Sequence, residues 1–178
     1  QAYRTLDIGT AKPTLQDRAG VPHHLIDVVD PASVYSLPTF LAQAHRAITH
    51  TISRGRVPLV VGGTGQYIWG LLEEWEVPKV PPDHDLRKRL MEQEPKDLFE
   101  KLRKVDSEAA RYIDRSNIRR IIRALEVYEH TGQPFYSQRT KGEPRYDTCL
   151  LGLTIERNEL YRRLGDRTDK LLERGWLN

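Results

Sequence analysis

Pro58-Leu59-Val60-Val61-Gly62-Gly63-Thr64-Gly65-Gln66-Tyr67 is the stretch from which the fold is read. A short unalternating aliphatic run that stops abruptly at glycines predicts a strand covered on both faces. Residues 67–72 then read as the start of a helix. Upstream, Ser36 is placed to cap another helix. Its Leu37, Phe40, Leu41, Ala44, Ala47 and Ile48 share roughly a third of the circumference at ~100° per residue, and Gly55 supplies its stop. Helix, strand, glycine turn, helix is the order of a parallel α/β sheet. The apolar runs at 25–29 and 149–153 are further predicted strands of that sheet.

Beyond the glycine turn the composition changes. Residues 75–83 carry Pro78, Pro81 and Pro82, a stiff linker unsuited to a helix interior. From Asp85 to about His130 the pattern is almost wholly helical. Leu86 and Leu90 mark one helix, Leu98 and Leu102 a second that starts at Pro95, and a third runs from Ser116 to Gly132. After a loop with Gly132, Pro134, Gly142 and Pro144, the chain closes with a helix over 155–173 ended by Gly175. The expected organisation is an α/β core over 1–78, a helical insertion over 79–142, and a return to the core over 143–178.

The 178 residues are 38% hydrophobic and 30% charged, which suits one domain, or a core with one insertion. No run of about 18 apolar residues occurs, so no membrane span is expected. Cys149 is the only cysteine. It excludes an intramolecular disulfide and a multi-cysteine zinc site, and it fits a reducing, cytoplasmic setting. A net charge of +3 permits nucleic-acid binding without demanding it, so the distribution of charge carries more information than the sum.

Several groups could carry chemistry. At Gly62, Gly63 and Gly65 the backbone N–H groups could approach a ligand closely, with the Thr64 hydroxyl presented into a cleft. A plain strand-to-helix turn accounts for the same spacing. On the third insertion helix, Ile118, Ile121, Ile122 and Leu125 share one face, and Arg119, Arg120 and Arg123 fill a ~100° wedge on the other. Such a wedge suits phosphates or base edges, or it is a solvated face pairing with Asp114 or Glu126. Arg163, Arg167, Lys170 and Arg174 form a stripe along the last helix. The stripe could hold a pyrophosphate or an RNA backbone, or be balanced by Asp166, Asp169 and Glu173. Asp7, Thr10 and Lys12 could face phosphate and Mg²⁺ or simply make turns. His23 and His24 are adjacent on an extended segment and point to opposite faces, so they cannot ligate one metal, and a structural role is expected. These residues alone support an anion-binding α/β protein compatible with RNA.

Taken together, Asp-Ile-Gly-Thr-Ala-Lys-Pro at 7–13, Val-Pro-His-His-Leu-Ile-Asp at 21–27, Tyr35-Ser36, Val-Gly-Gly-Thr-Gly-Gln-Tyr at 61–67, Arg-Ala-Leu-Glu-Val at 123–127 and Leu-Tyr-Arg-Arg-Leu at 160–164 with Arg167 resemble the tRNA dimethylallyltransferases. The resemblance runs in order over nearly the whole chain. It implies a P-loop-kinase-like core with a helical insertion that grips the anticodon arm, in a cytoplasmic, monomeric enzyme with no membrane partner. It implies transfer of the dimethylallyl group from dimethylallyl diphosphate to N6 of the adenine 3′ of the anticodon, with release of pyrophosphate and help from Mg²⁺. By the same resemblance, Arg167 matches an arginine directed at the diphosphate and Thr64 a threonine beside the target adenine. Gln1 ends the Asp-Ser-x-Gln stretch that contacts the flipped-out base. Arg87, Arg119, Arg120, Ile121, Ile122 and Arg123 match tRNA-contacting positions, while Asp7, Thr10, Lys12 and His23 are secondary candidates. The family's phosphate-binding loop and general-base aspartate are expected upstream of Gln1, its remaining helices after Trp176, and no metal ligands within this chain. Two other readings share these residues: a cytokinin-type enzyme that prenylates free adenine nucleotides, and a non-catalytic RNA-binding fragment.

Overall fold

The computed structural model describes residues 1–177. The chain divides into two compact units, one made of Gln1–Ile68 with 146–177 and the other of Trp69–Arg145. In chain order the elements are α1 (Leu37–Ser53), α2 (Gly65–Leu72), β1 (Trp75–Glu76), α3 (His84–Met91), α4 (Pro95–Val105), α5 (Ser107–Tyr112), α6 (Ile118–Thr131), a 3₁₀ turn (Tyr136–Gln138), β2 (Thr140–Lys141) and α7 (Arg157–Glu173).

The first unit is built around α1. Ser36 caps it, its hydroxyl accepting from the Thr39 N–H, and Gly55 follows its end in the left-handed conformation at φ 66°. Leu37, Ala44 and Ile48 are the buried residues of this helix, i, i+7 and i+11 on one face. An aromatic cluster continues the packing. Phe40 stacks on Tyr67 at 4.4 Å, and Tyr35 meets Tyr67 and Tyr3 edge-on at 6.2 and 6.5 Å. Residues 1–4 run parallel to 27–29, joined by Arg4 N–H to Val29 O at 2.8 Å and Val29 N–H to Ala2 O at 3.0 Å.

The expected parallel sheet is not formed by the described residues. That Tyr3–Val29 bridge is its only parallel pairing, and the only ladder is β1 with β2, antiparallel, with Trp75 opposite Lys141 and Glu76 opposite Thr140. Among the described residues, 58–61 and 149–153 pair with no other strand, and Leu59, Val61 and Leu153 are 86%, 92% and 100% exposed. A two-face-covered strand needs neighbours on both edges and layers on both faces, and residues 1–177 do not supply them.

The second unit has its own core. Leu90 of α3, Leu98, Phe99 and Leu102 of α4, Ala109 of α5, and Ile121, Ile122, Ala124 and Leu125 of α6 form one buried cluster. Leu98, Leu102 and Ile121 are wholly buried. α6 begins at Asn117, whose side chain accepts from the Arg120 N–H, and ends at Gly132 with φ 67°. Asp106 joins three elements. It ends α4, caps α5 through Oδ1 to the Ala109 N–H at 2.9 Å, and accepts the Tyr136 N–H on Oδ2 at 2.8 Å. The unit is wider than the 79–142 expected, because the β1–β2 pairing and the Gly142 N–H, shared between Glu73 O and Glu74 O, close it outside those limits.

Candidate functional site

In the first unit, Lys12 organises the N-terminal loop. Its ammonium donates to Tyr3 O at 2.8 Å, Asp7 Oδ1 at 2.6 Å and Asp27 Oδ1 at 2.5 Å. An ammonium has three protons, and all three are engaged. The hydrogen bonds it donates to Asp27 and then to Asp7 hold the Lys12 pKa above the ordinary lysine value. Lys12 is therefore a clamp, and Asp7 is one of its anchors. Leu25 and Asp27 adopt φ of 61° and 56°, a region that side chains rarely enter. The Thr10 hydroxyl donates to Leu6 O at 2.7 Å, the Gln1 amide to Ala11 O at 2.6 Å, and His23 Nδ1 lies 2.9 Å from Val21 O. Each braces the loop.

The same loop lines an open groove with α7. Thr10, Lys12 and Asp17 lie on one side, and Arg163, Asp166, Arg167, Lys170 and Arg174 on the other. The cations are not equivalent. Arg163 pairs with Glu159 at 2.7 Å and Arg162 with Asp166 at 2.9 Å. Asp17 accepts from the Thr14 hydroxyl and N–H, which together with Arg174 hold its carboxyl below the usual range. Among the described residues, Arg167 and Lys170 have no ion-pair or hydrogen-bond partner for their charged groups, while Arg174 acts on Asp17. The groove is thus an electropositive face on which Arg167 and Lys170 are placed to meet an anion.

Thr64 stands just before α2, where its carbonyl accepts the Tyr67 N–H at 2.9 Å and the Ile68 N–H at 3.2 Å. Its hydroxyl has no partner among the described residues. Gly62, Gly63 and Gly65 all have negative φ, and a Cβ at Gly63 would meet nothing within 4 Å. The backbone conformation does not itself require glycine here, so what glycine leaves at this turn is room. The structure brings Thr10, Lys12 and Arg167 to one groove. Thr64, the glycine turn, Asp7, His23 and Gln1 do not line it.

The helical unit sorts its arginines. Glu126 is fully buried and accepts four hydrogen bonds: Asp83 N–H at 2.7 Å, Arg87 Nε at 2.7 Å, Arg87 Nη2 at 2.8 Å and Arg123 Nη1 at 2.5 Å. Burial pushes its carboxyl up, but Arg87, the Asp83 amide and Arg123 outweigh burial and hold it at about 2. Arg123 also donates to Val80 O at 2.9 Å. Arg87 and Arg123 are thus committed to an internal network, whereas Arg119 and Arg120 are exposed and unpaired among the described residues. Ile121 and Ile122 require a correction. Their side chains are 0% and 2% exposed in the helical core and cannot reach RNA. Sequence reasoning names Glu126 only as a partner on a solvated face, and the structure shows it instead as a buried hub, i+3 from Arg123. The same reasoning missed Asp27, which lies 15 residues from the lysine it holds.

The IPP transferase family model matches residues 1–178, the entire chain. The chain belongs to the IPP transferase family. Among curated members, the tRNA dimethylallyltransferase of Roseiflexus sp. (strain RS-1) is 46% identical, over 100% of this chain and 60% of its own length. That of Herpetosiphon aurantiacus is 45% identical, over 97% and 56%. Among solved structures, the full-length tRNA isopentenylpyrophosphate transferase of Bacillus halodurans is 39% identical with a TM-score of 0.60, over 98% of this chain and 55% of that one. A eukaryotic dimethylallyltransferase acting on tRNA is 32% identical with a TM-score of 0.79, over 98% and 45%. This IPP transferase chain therefore spans about half to three-fifths of the length of the relatives it matches.

Proposed function

We propose that this chain is the part of a tRNA dimethylallyltransferase that carries the α7 groove, the glycine turn and the helical RNA-gripping unit. The observation that carries the reading is identity of 43–46% over 97–100% of the chain to relatives named for that activity. In the reaction, N6 of the adenine 3′ of the anticodon attacks C1 of dimethylallyl diphosphate. The C1–O bond breaks, pyrophosphate leaves with the electron pair, and the N6 proton passes to a base. That base is proposed to be an aspartate that this chain does not itself contribute. Arg167, without an ion-pair partner among the described residues, is proposed to stabilise charge on the departing pyrophosphate. Thr64 is proposed to lie beside the adenine, where the open space at the glycine turn lets a ring approach the backbone, and Gln1 to contact the flipped-out base. Arg119 and Arg120 are proposed to meet tRNA phosphates. The core is proposed to be a P-loop-kinase-like parallel sheet in which residues 58–61 and 149–153 are strands, since Leu59, Val61 and Leu153 are side chains such a sheet would bury. The enzyme is proposed to be monomeric and cytoplasmic. No helix among the described residues is long and apolar enough to cross a membrane.

Mg²⁺ is the cofactor that the resemblance implies. Asp7 and Asp27 of the N-terminal loop are held by Lys12, and the ion would be met through substrate phosphates and water rather than by a cage of this chain's carboxylates. No step is derived through the ion.

The test is turnover by the enzyme containing this chain, assayed on tRNA and on free AMP. Transfer to tRNA is expected, and Arg167→Ala should lower kcat about 100-fold or more, corresponding to ~3 kcal/mol for a lost donor to leaving-group charge. Transfer to AMP and not to tRNA would overturn the reading.

A further inference from the structure

The helical unit carries an aromatic feature outside every group discussed above. Tyr112, the last residue of α5, and Tyr136, the first of the 3₁₀ turn, stack with ring centroids 5.5 Å apart and planes 7° from parallel. Both lie in the open, Tyr112 at 68% exposure and Tyr136 at 42%. Among the described residues Tyr112 has no other ring contact. Two large rings left in water forgo the burial that normally rewards aromatic side chains.

Their mounting is rigid. The buried Asp106 caps α5, which carries Tyr112, with one carboxylate oxygen, and holds the Tyr136 backbone N–H with the other. One carboxylate therefore sets the backbone on which both rings stand. Their surroundings carry several arginines and one acid, Glu108. Arg111 precedes Tyr112 and pairs with Glu108 at 2.8 Å, Arg115 lies in the turn after it with its guanidinium 4.8 Å from the Phe99 ring centroid, and Arg119 and Arg120 open α6 immediately beyond. Exposed, pre-positioned rings beside arginines form the combination on which unstacked bases of single-stranded RNA settle. The π faces take the base, and the guanidinium groups take the phosphates on either side.

We propose that Tyr112 and Tyr136 form a stacking platform for one unpaired base of an RNA loop, with Arg115 meeting a flanking phosphate. The platform rests on the reading that this protein acts on tRNA, and it assigns to the helical unit a base contact in addition to backbone contacts.

The experiment uses the complete enzyme and an anticodon stem-loop RNA carrying 2-aminopurine at one loop position at a time. Affinity is read by anisotropy and stacking by 2-aminopurine quenching. In the unsubstituted enzyme, quenching is expected at one loop position besides the target adenine. Tyr112→Ala and Tyr136→Ala should each weaken binding roughly 5- to 150-fold, the range for loss of one base–aromatic stack. That quenching should disappear, and the salt dependence should keep its slope because no cation is lost. Tyr112→Phe keeps the ring and should bind as the unsubstituted enzyme does. Ala variants that are folded by circular dichroism and bind RNA normally would overturn the platform while leaving the tRNA reading intact, and would mark the rings as a protein-facing patch. Absence of any second quenched position in the unsubstituted enzyme would overturn the platform without any variant. An enzyme that binds no stem-loop at all would overturn both.

Discussion

Glu126→Gln keeps the shape of the side chain and removes its charge, so it isolates what the buried network contributes. Four donors converge on a carboxylate with no exposed surface, and they hold its pKa at about 2 against an ordinary 4.5. A difference of about 2.5 pH units, at 1.36 kcal/mol each, amounts to about 3 kcal/mol of stability at neutral pH. The pKa is depressed in the folded state. The contribution is therefore complete above about pH 4.5 and drains away as pH falls toward 2. Glutamine also turns an NH₂ toward groups that only donate, leaving part of the Arg87 fork and the Asp83 N–H without an acceptor. Urea unfolding followed by circular dichroism at pH 7 should show Glu126→Gln weakened by about 3 kcal/mol, and Glu126→Ala by about 3–5. The difference between Glu126→Gln and the parent should shrink steadily between pH 4.5 and 2. Equal stability at pH 7, or a gap that does not change with pH, would refute the assignment of Glu126 as an ionised hub.

Thr64→Ser keeps the free hydroxyl and should retain most activity in the complete enzyme, whereas Thr64→Ala should lose about 1–3 kcal/mol, or roughly 5- to 150-fold in kcat/KM; equal, near-native rates would reduce Thr64 to a turn residue. The double change Arg119→Ala with Arg120→Ala should weaken tRNA binding and lower the slope of log K against log salt by about 1–2, with unfolding unchanged. Arg123→Ala should instead unfold the helical unit more readily, because it strips a partner from buried Glu126. Similar stability losses in both variants would undo that distinction.

What is legible from sequence follows from how local the cause is. Ser36 and the periodicity after it give α1, and Gly132 closes α6, because caps and amphipathic faces are written within a few residues. The arginine wedge of α6 is visible in the same way. Its division is not, since whether an arginine faces solvent or Glu126 depends on Asp83 and Arg87, about 40 residues away. Ile121 and Ile122 already read as apolar, and the periodicity that puts them on the core face is the better guide to their role. Residues 58–61 fail for the opposite reason. Their pattern describes an environment that residues 1–177 do not provide, so the strand it predicts is not formed among them. Tyr112 and Tyr136 are 24 residues apart and belong to no periodic pattern, so only folding brings them together.

The proline-rich stretch 75–83 would ordinarily be treated as a spacer whose length can drift. Here Pro78 O and Val80 O receive the Arg123 guanidinium, and the Asp83 N–H ends on Glu126, so a single turn of α6 grips the stretch at three places. An extended chain advances about 3.4 Å per residue. One inserted or deleted residue between Pro78 and Asp83 would carry at least one of these groups out of hydrogen-bond range. The stretch behaves less like a tether than like a ruler: its residue count is fixed by the spacing of two side chains on a helix, and length variation in this protein should collect elsewhere, in loops that no side chain measures.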